Sequence, residues 1–134
     1  MCLMPYQAAV GSPNHATVMT CPDIAKAVQT VAQFSSNPGK HPWVAVVCII
    51  RYLKTMWNWV LTLGGKSAAI EILGYCAADH ANSPDHGRSI PGYAMMLGNG
   101  CFSWSSKKQT ATALSTGEAE YYATVHAGCE VNWV

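Results

Sequence analysis

Charge is what this chain has least of. Asp, Glu, Lys and Arg make up 11% of its 134 residues, while half are apolar. A disordered tail has the opposite balance, so that class is excluded. Few charges remain to keep a large surface solvated. Eight basic residues against seven acidic ones leave a net charge of +1. No global field draws the chain to nucleic acid or to an anionic membrane. Long apolar runs are missing too. The stretch from Trp43 to Leu63 is interrupted by Arg51 and Lys54, and a membrane span needs about 20 apolar residues. A secretory leader is not expected, because no basic region and no continuous apolar region follow Met1. The cysteines (Cys2, Cys21, Cys48, Cys76, Cys101, Cys129) form no CxxC pair. Most are expected to be small buried apolar residues in a reducing, intracellular compartment, with a disulfide framework as the less favoured alternative. Phosphate-cradling glycine loops, a Ser/His/Asp arrangement and a nucleophile elbow are all lacking.

What is present reads as alternating helical and extended segments. Residues 1–20 are predicted irregular, since Gly11, Ser12, Pro13 and Asn14 favour turns. A helix is predicted from Cys21, with Thr20 as cap, Pro22 in the first turn and Ile24, Ala27, Val28 and Val31 as its apolar stripe. Ser35-Ser36-Asn37-Pro38-Gly39 stops it. A second helix spans about Pro42 to Thr55. It is apolar nearly all round, so it demands burial on every side. Trp57 to Leu63 alternates as a strand, with Trp57 and Trp59 on one face as core residues. Gly64-Gly65-Lys66 is a turn and a candidate boundary. Ile70 to Cys76 is a second strand, and Ala78 to Pro91 a polar loop. Tyr93–Leu97 and Cys101–Ser105 flank Gly98-Asn99-Gly100, a hairpin signal. A last helix starts at Ser115.

Several segments occur together in a telling order. They are Tyr6-Gln7-Ala8-Ala9-Val10-Gly11-Ser12, Pro22-Asp23-Ile24-Ala25, Ser36-Asn37-Pro38-Gly39-Lys40 and Arg51-Tyr52-Leu53-Lys54. Gly92-Tyr93, Leu97-Gly98, Ser103-Trp104-Ser105-Ser106-Lys107-Lys108-Gln109, Ala113-Leu114-Ser115 and Glu118-Ala119-Glu120-Tyr121 follow. This set resembles the C-terminal part of a copia-type retrotransposon Pol polyprotein, where the reverse transcriptase region leads into the RNase H domain. The resemblance covers nearly the whole chain. It implies an α/β chain: residues 1–64 as a helical reverse transcriptase connection with two helices and a strand, and residues 65–134 as an incomplete RNase H-like fold of three antiparallel strands and the first helix. One sheet edge is then unpaired and liable to associate. The family's implied activity is cutting the RNA strand of RNA–DNA hybrids with two Mg²⁺ ions held by Asp and Glu. The implied partners are an RNA–DNA hybrid or other nucleic acid and the rest of the polyprotein, with no membrane.

Departures from the family pattern bear on that activity. Its first strand reads Gly-Tyr-Ser-Asp-Ala-Asp-Trp, and this chain has Gly74-Tyr75-Cys76-Ala77-Ala78-Asp79-His80. Ala77 therefore stands where the first metal-binding Asp belongs. Asp79 shares its strand face but lies one pleat (about 6–7 Å) further on. Glu118 matches the helix Glu, and the chain reaches Val134 before the segment for the next Asp. Glu118 and Asp79 are thus the remaining catalytic and metal-binding candidates, and the expectation is an inactive site. Val47 and Cys48 replace two basic residues of the family, and Asp85-His86-Gly87-Arg88-Ser89-Ile90-Pro91 replaces an Asp-Arg-Arg-Ser-Thr-Ser run. Such replacements fit drift in an unconstrained copy.

Each candidate also has a plainer reading. Glu118 is the third residue after Ser115, so the two form a capping box. Glu120 and Glu130 read as solvated helix charges. Asp79-His80 and Asp85-His86 make a weak zinc pattern with no Cys to complete it. His126 reads as a partly buried core residue. Arg88, Lys107, Lys108 and Gln109 are candidate nucleic-acid contacts, with a solvated loop as the alternative for the last three.

Overall fold

The computed structural model describes residues 5–63, 71–80 and 87–133. Gly64-Gly65-Lys66, Asp85 and His86 lie outside the described residues. The chain divides into two compact units, Met1–Leu61 and Thr62–Val134.

The first unit is helical. Helix α1 spans Tyr6–Met19, a 3₁₀ turn covers Pro22–Ile24, α2 spans Ala25–Ala32 and α3 spans Lys40–Thr55. Helix α1 corrects the expected irregular segment, even though Pro13 lies inside it. An interior proline costs a helix about 3 kcal/mol. Here Tyr6, Val10 and Pro13 recur at helical spacing and are all buried, so tertiary burial outweighs local propensity. Tyr6, Val10, Ile24, Val28, Val31, Val46 and Ile49 form one cluster, with Trp43 and Leu53 packed against it. The Tyr6 hydroxyl donates to the Val31 carbonyl at 2.7 Å. On α3 only Val46 and Ile49 are buried. Val44, Cys48 and Ile50 are exposed, so the demand for burial on every side is not met within the described residues.

The strand expected at Trp57–Leu63 is absent. Met56–Asn58 form a turn, and Trp59 to Leu63 is irregular. The Trp59 N–H closes back onto the Met56 carbonyl at 2.9 Å. Trp57 is 77% exposed and Trp59 is 74% exposed, so neither belongs to a core. Alternation marks a strand only where a neighbour supplies a ladder, and no strand among the described residues pairs with these.

The second unit is a three-stranded antiparallel sheet carrying one helix. Strands β1 (Ile72–Asp79), β2 (Ile90–Leu97) and β3 (Gly100–Ser106) lie in that order, and α4 spans Thr116–Val131. With the first unit this gives an α/β chain of four helices and three strands among the described residues. The sheet is longer than the hydrophobic pattern indicated. Ala77, Ala78 and Asp79 pair with Gly92, Pro91 and Ile90, so the strands extend into both ends of the expected Ala78–Pro91 loop. Gly98 adopts φ +60° in the turn between β2 and β3, a conformation glycine reaches without strain. A bulge at Met95/Met96 leaves Phe102 without an opposite residue. Tyr93, Met95 and Ala127 form the second cluster, with Phe102 packed against it. Helix α4 buries the stripe Ala119, Ala123 and Ala127.

The cysteine expectation is corrected as well. Cys48, Cys76 and Cys129 are exposed, and Cys21 and Cys101 are half-buried free thiols. No helix among the described residues is long and apolar enough to cross a membrane.

Candidate functional site

The predicted site residues fall into two groups. The first comprises the carboxylates near β1. Cys76 Sγ lies 3.6 Å from Thr124 Oγ1 of α4. The helix therefore covers the sheet face that carries Gly74, Cys76 and Ala78. By strand alternation Ala77 and Asp79 belong to the other face. Asp79 is half-buried at the end of β1.

Glu118 is committed elsewhere. Its backbone N–H donates to Ser115 Oγ at 3.1 Å, and its Oε2 accepts the Leu114 N–H at 2.7 Å. This is a capping box whose return bond reaches one residue before the cap. Glu120, expected to be a solvated charge, instead meets β1. Its Oε2 accepts the Ala78 N–H at 3.2 Å. The sequence carried a signal for this. Residues two apart lie on nearly opposite sides of a helix, so Glu118 and Glu120 cannot both face one strand. Once the box uses Glu118, Glu120 is the carboxylate left to turn toward the sheet.

No three His, Cys, Asp or Glu side chains gather as a metal-binding group among the described residues. A two-Mg²⁺ site needs several oxygen ligands around each ion. With Ala at position 77, Glu118 bound to Leu114 and Asp79 on the face away from α4, the described residues do not fit that cofactor. His80 Nδ1 lies 3.5 Å from Ser89 Oγ. Asp85 and His86, the other half of the weak zinc pattern, are outside the described residues.

The second group follows β3. The Lys107 N–H donates to the Pro91 carbonyl at 3.2 Å and the Gln109 N–H to the Ser89 carbonyl at 3.0 Å. The β2–β3 pairing is thereby prolonged past Ser106, which turns a would-be loop into a fixed edge. Gln109 Nε2 also donates to the Ala119 carbonyl of α4 at 3.3 Å. Its Oε1 is buried with no hydrogen-bond partner. Residues 107–111 and Pro91 form one wall of a cleft of about 290 Å³, and Tyr122, Val125, His126 and Cys129 of α4 form the other. The His126 ring stands 5.3 Å from that of Tyr93. Burial raises the Tyr93 phenol above its ordinary pKa. Among the described residues no Asp or Glu lines the cleft, whereas Lys107 and Lys108 both do. Arg88, half-buried just before β2, is not among the lining residues. Sequence reading identified the lysines but not the α4 wall, because spacing alone does not show which helix face turns toward them.

These features sit in a sequence with clear relatives. Over 134 residues the chain is 44% identical to the retrovirus-related Pol polyprotein from transposon TNT 1-94 of Nicotiana tabacum, which covers 100% of this chain and 10% of that protein. Over 129 residues it is 35% identical to the retrovirus-related Pol polyprotein from transposon RE1 of Arabidopsis thaliana, covering 96% of this chain and 9% of that protein. Over 131 residues it is 38% identical to secreted RxLR effector protein 161 of Plasmopara viticola, covering 98% of this chain and 92% of that protein. The chain thus spans about a tenth of the Pol polyproteins it matches and nearly the full length of the Plasmopara protein. No protein-family model and no solved structure matches it. The class these likenesses define is the polyprotein of a mobile element. The names of these relatives support a fragment of a copia-type Pol polyprotein, and the chain covers most of the length of the Plasmopara relative.

Proposed function

We propose that this chain spans the end of the reverse transcriptase region and the start of the RNase H domain of a copia-type Pol polyprotein. It binds nucleic acid through Lys107, Lys108 and Gln109 and does not cut it. On this reading residues 1–64 are the connection segment and residues 65–134 the first part of an RNase H-like fold, in an intracellular protein whose ancestral partner was the rest of Pol.

One observation carries the binding role. Backbone bonds to Ser89 and Pro91 and the Gln109 amide bond to Ala119 hold the Lys107-Lys108-Gln109 segment in place beside an acid-free cleft. A fixed backbone lowers the cost of ordering this segment against a phosphate backbone. The lack of cutting is supported by the donor set, since Ala77 and the committed Glu118 leave no metal-binding cluster of carboxylates among the described residues.

The test is an end-labelled RNA–DNA hybrid incubated with the full chain in Mg²⁺, beside Glu118→Gln and Glu120→Gln variants. The expected result is no cutting by any of them. Binding is expected at low salt, with a slope of log K against log salt of about −1.5 to −2 for two contacted phosphates. The Lys107→Ala/Lys108→Ala double variant should lose most of it. Cutting that either carboxylate variant abolishes would make the chain an enzyme. Failure to bind at low salt would leave it with no nucleic-acid role.

A further inference from the structure

We propose that β1 is a self-pairing edge: a second copy of this chain adds its own β1 antiparallel to it, making one continuous sheet about a two-fold axis at Gly74. Strand β1 ends the sheet order and pairs only with β2 among the described residues. Two hydrogen bonds fix which of its backbone groups face outward. The Gly98 N–H donates to the Glu71 carbonyl at 3.4 Å, so the groups of Glu71 point inward, toward β2. The Ala78 N–H donates instead to Glu120 Oε2 of α4. Opposite Ala78 stands Pro91, which has no N–H to offer. Backbone groups alternate sides along a strand. Ile72, Gly74 and Cys76 therefore present N–H and C=O outward, as Ala78 does, and among the described residues α4 caps only Ala78.

The edge is open, and its charges suit a copy of itself. Ile72 to Ala77 are all exposed. Ile72 to Ala78 contains no charged residue and no proline, the devices that blunt an edge. The other edge differs, since β3 is buried or half-buried throughout and runs on into Lys107 and Lys108. The register that pairs the three open residues with one another is centred on Gly74. It sets Ile72 against Cys76 and Gly74 against Gly74, with about six backbone hydrogen bonds, two for each of three pairs. It stops short of Ala78, so Glu120 keeps its bond. By strand alternation Leu73 and Tyr75 share the face away from α4. In this register Leu73 of each copy falls opposite Tyr75 of the other, an aliphatic–aromatic cross-strand pair. Leu73 is 42% exposed and Tyr75 63% exposed in one chain, so pairing covers apolar surface that a single chain leaves wet. Glu71 falls opposite Ala77, so no carboxylate faces a carboxylate. Such a pair uses the edge on both copies, and association closes at two. The contact is short beside the roughly 1,200–2,000 Å² of a stable interface, so the dimer should dissociate on dilution.

The test is sedimentation equilibrium of the full chain in reducing buffer over a wide concentration range. The average mass should rise with concentration from 14.4 kDa toward twice that value and no further. Tyr75→Lys should weaken association roughly tenfold through the two lost cross-strand pairs, and Tyr75→Phe should leave it unchanged. Leu73→Lys/Tyr75→Lys should stay monomeric, and so should Leu73→Glu/Tyr75→Glu. Mixing the two double variants should restore the dimer, because unlike charges then face each other, and added salt should weaken it. Mild oxidation of Ile72→Cys reads the register. Mass spectrometry should find position 72 disulfide-linked to Cys76 of another copy. Within one strand the two positions lie about 13 Å apart, too far to join. Circular dichroism checks folding, and if a double variant does not fold, Tyr75→Lys and the cross-link still decide. A mass of 14.4 kDa at every concentration overturns the proposal. Dimers indifferent to the Leu73 and Tyr75 variants put the contact elsewhere and overturn it too. Growth beyond two copies overturns the closed pair, and a dimer without the 72–76 link overturns the register.

Discussion

The carboxylate of Glu120 holds the backbone N–H of Ala78 at 3.2 Å, across 42 residues of chain, and so ties α4 to the end of β1. Two residues earlier on the same helix, Glu118 closes the capping box on Leu114. Neighbours in sequence thus do unconnected work. Glu118→Ala should cost about 1 kcal/mol through the lost cap bond. Glu120→Ala should cost a similar amount, about 1 kcal/mol, through the lost tie. Their effects should add within about 0.5 kcal/mol, because they share no partner. Urea unfolding of the two single variants and the double variant checks this, and a strongly non-additive double variant would mean one shared site.

Gly100 opens β3 where there is no room for a side chain. A Cβ there would lie 2.6 Å from the Thr62 carbonyl oxygen and 2.8 Å from Leu63 Cα. Both obstacles are backbone, so they cannot swing aside. Gly100→Ala should destabilise the sheet unit by about 1–3 kcal/mol. Gly74→Ala meets only the flexible end of Met95, with Sδ at 3.1 Å, and should cost less. Thermal unfolding followed by circular dichroism gives the order.

Alkaline stability should depend on Tyr6. Burial raises its phenol above the ordinary value of 10.0. A raised folded-state pKa stabilises fully below the unfolded value, and that contribution is lost as pH climbs through the folded one. The helical unit should therefore weaken above about pH 10. Tyr52 adds in the same direction, chiefly through its hydrogen bond to Asp23. Tyr6→Phe should cost about 1 kcal/mol at neutral pH, since the Val31 carbonyl keeps its bond from the Phe34 N–H. The variant should also lose less stability between neutral and strongly alkaline pH. Denaturant midpoints across that range provide the comparison.

Native thiol labelling should separate the described cysteines. Cys48 and Cys129 are exposed and should react first with an aromatic disulfide reagent. Cys101 is half-buried, and burial pushes its thiol pKa up, so less thiolate is present to react. It should lag until denaturant opens the sheet unit. Mass spectrometry of the labelled peptides reads the order, and early labelling of Cys101 would contradict the packing of β3.

The sequence made some of this architecture legible and hid the rest for definite reasons. The Gly98-Asn99-Gly100 hairpin and the Ser115 cap are local chemistry, and both appear at their places. Helix α1 was hidden because Pro13 and Gly11 argue against it locally, and only the burial of Tyr6, Val10 and Pro13 reverses that. The Trp57–Leu63 strand failed for the mirror reason, since its pattern was right but no strand among the described residues pairs with it. At the site, Lys107 and Lys108 were readable as a charge pair. Their opposing wall of Tyr122 and Val125 depends on the rotation of α4, which the alanine stripe sets. Arg88 illustrates the limit of proximity in sequence, because it precedes β2 yet lines no part of the cleft.

That stripe has a thermal consequence. Ala119, Ala123 and Ala127 let α4 settle close to the sheet, but a methyl group removes little apolar surface from water. The heat-capacity increment of unfolding scales with the apolar area released. The sheet unit should therefore have a shallow stability curve. It should melt over a wide span of temperature and change little on cooling, while the valine-lined cluster of the helical unit carries the steeper response.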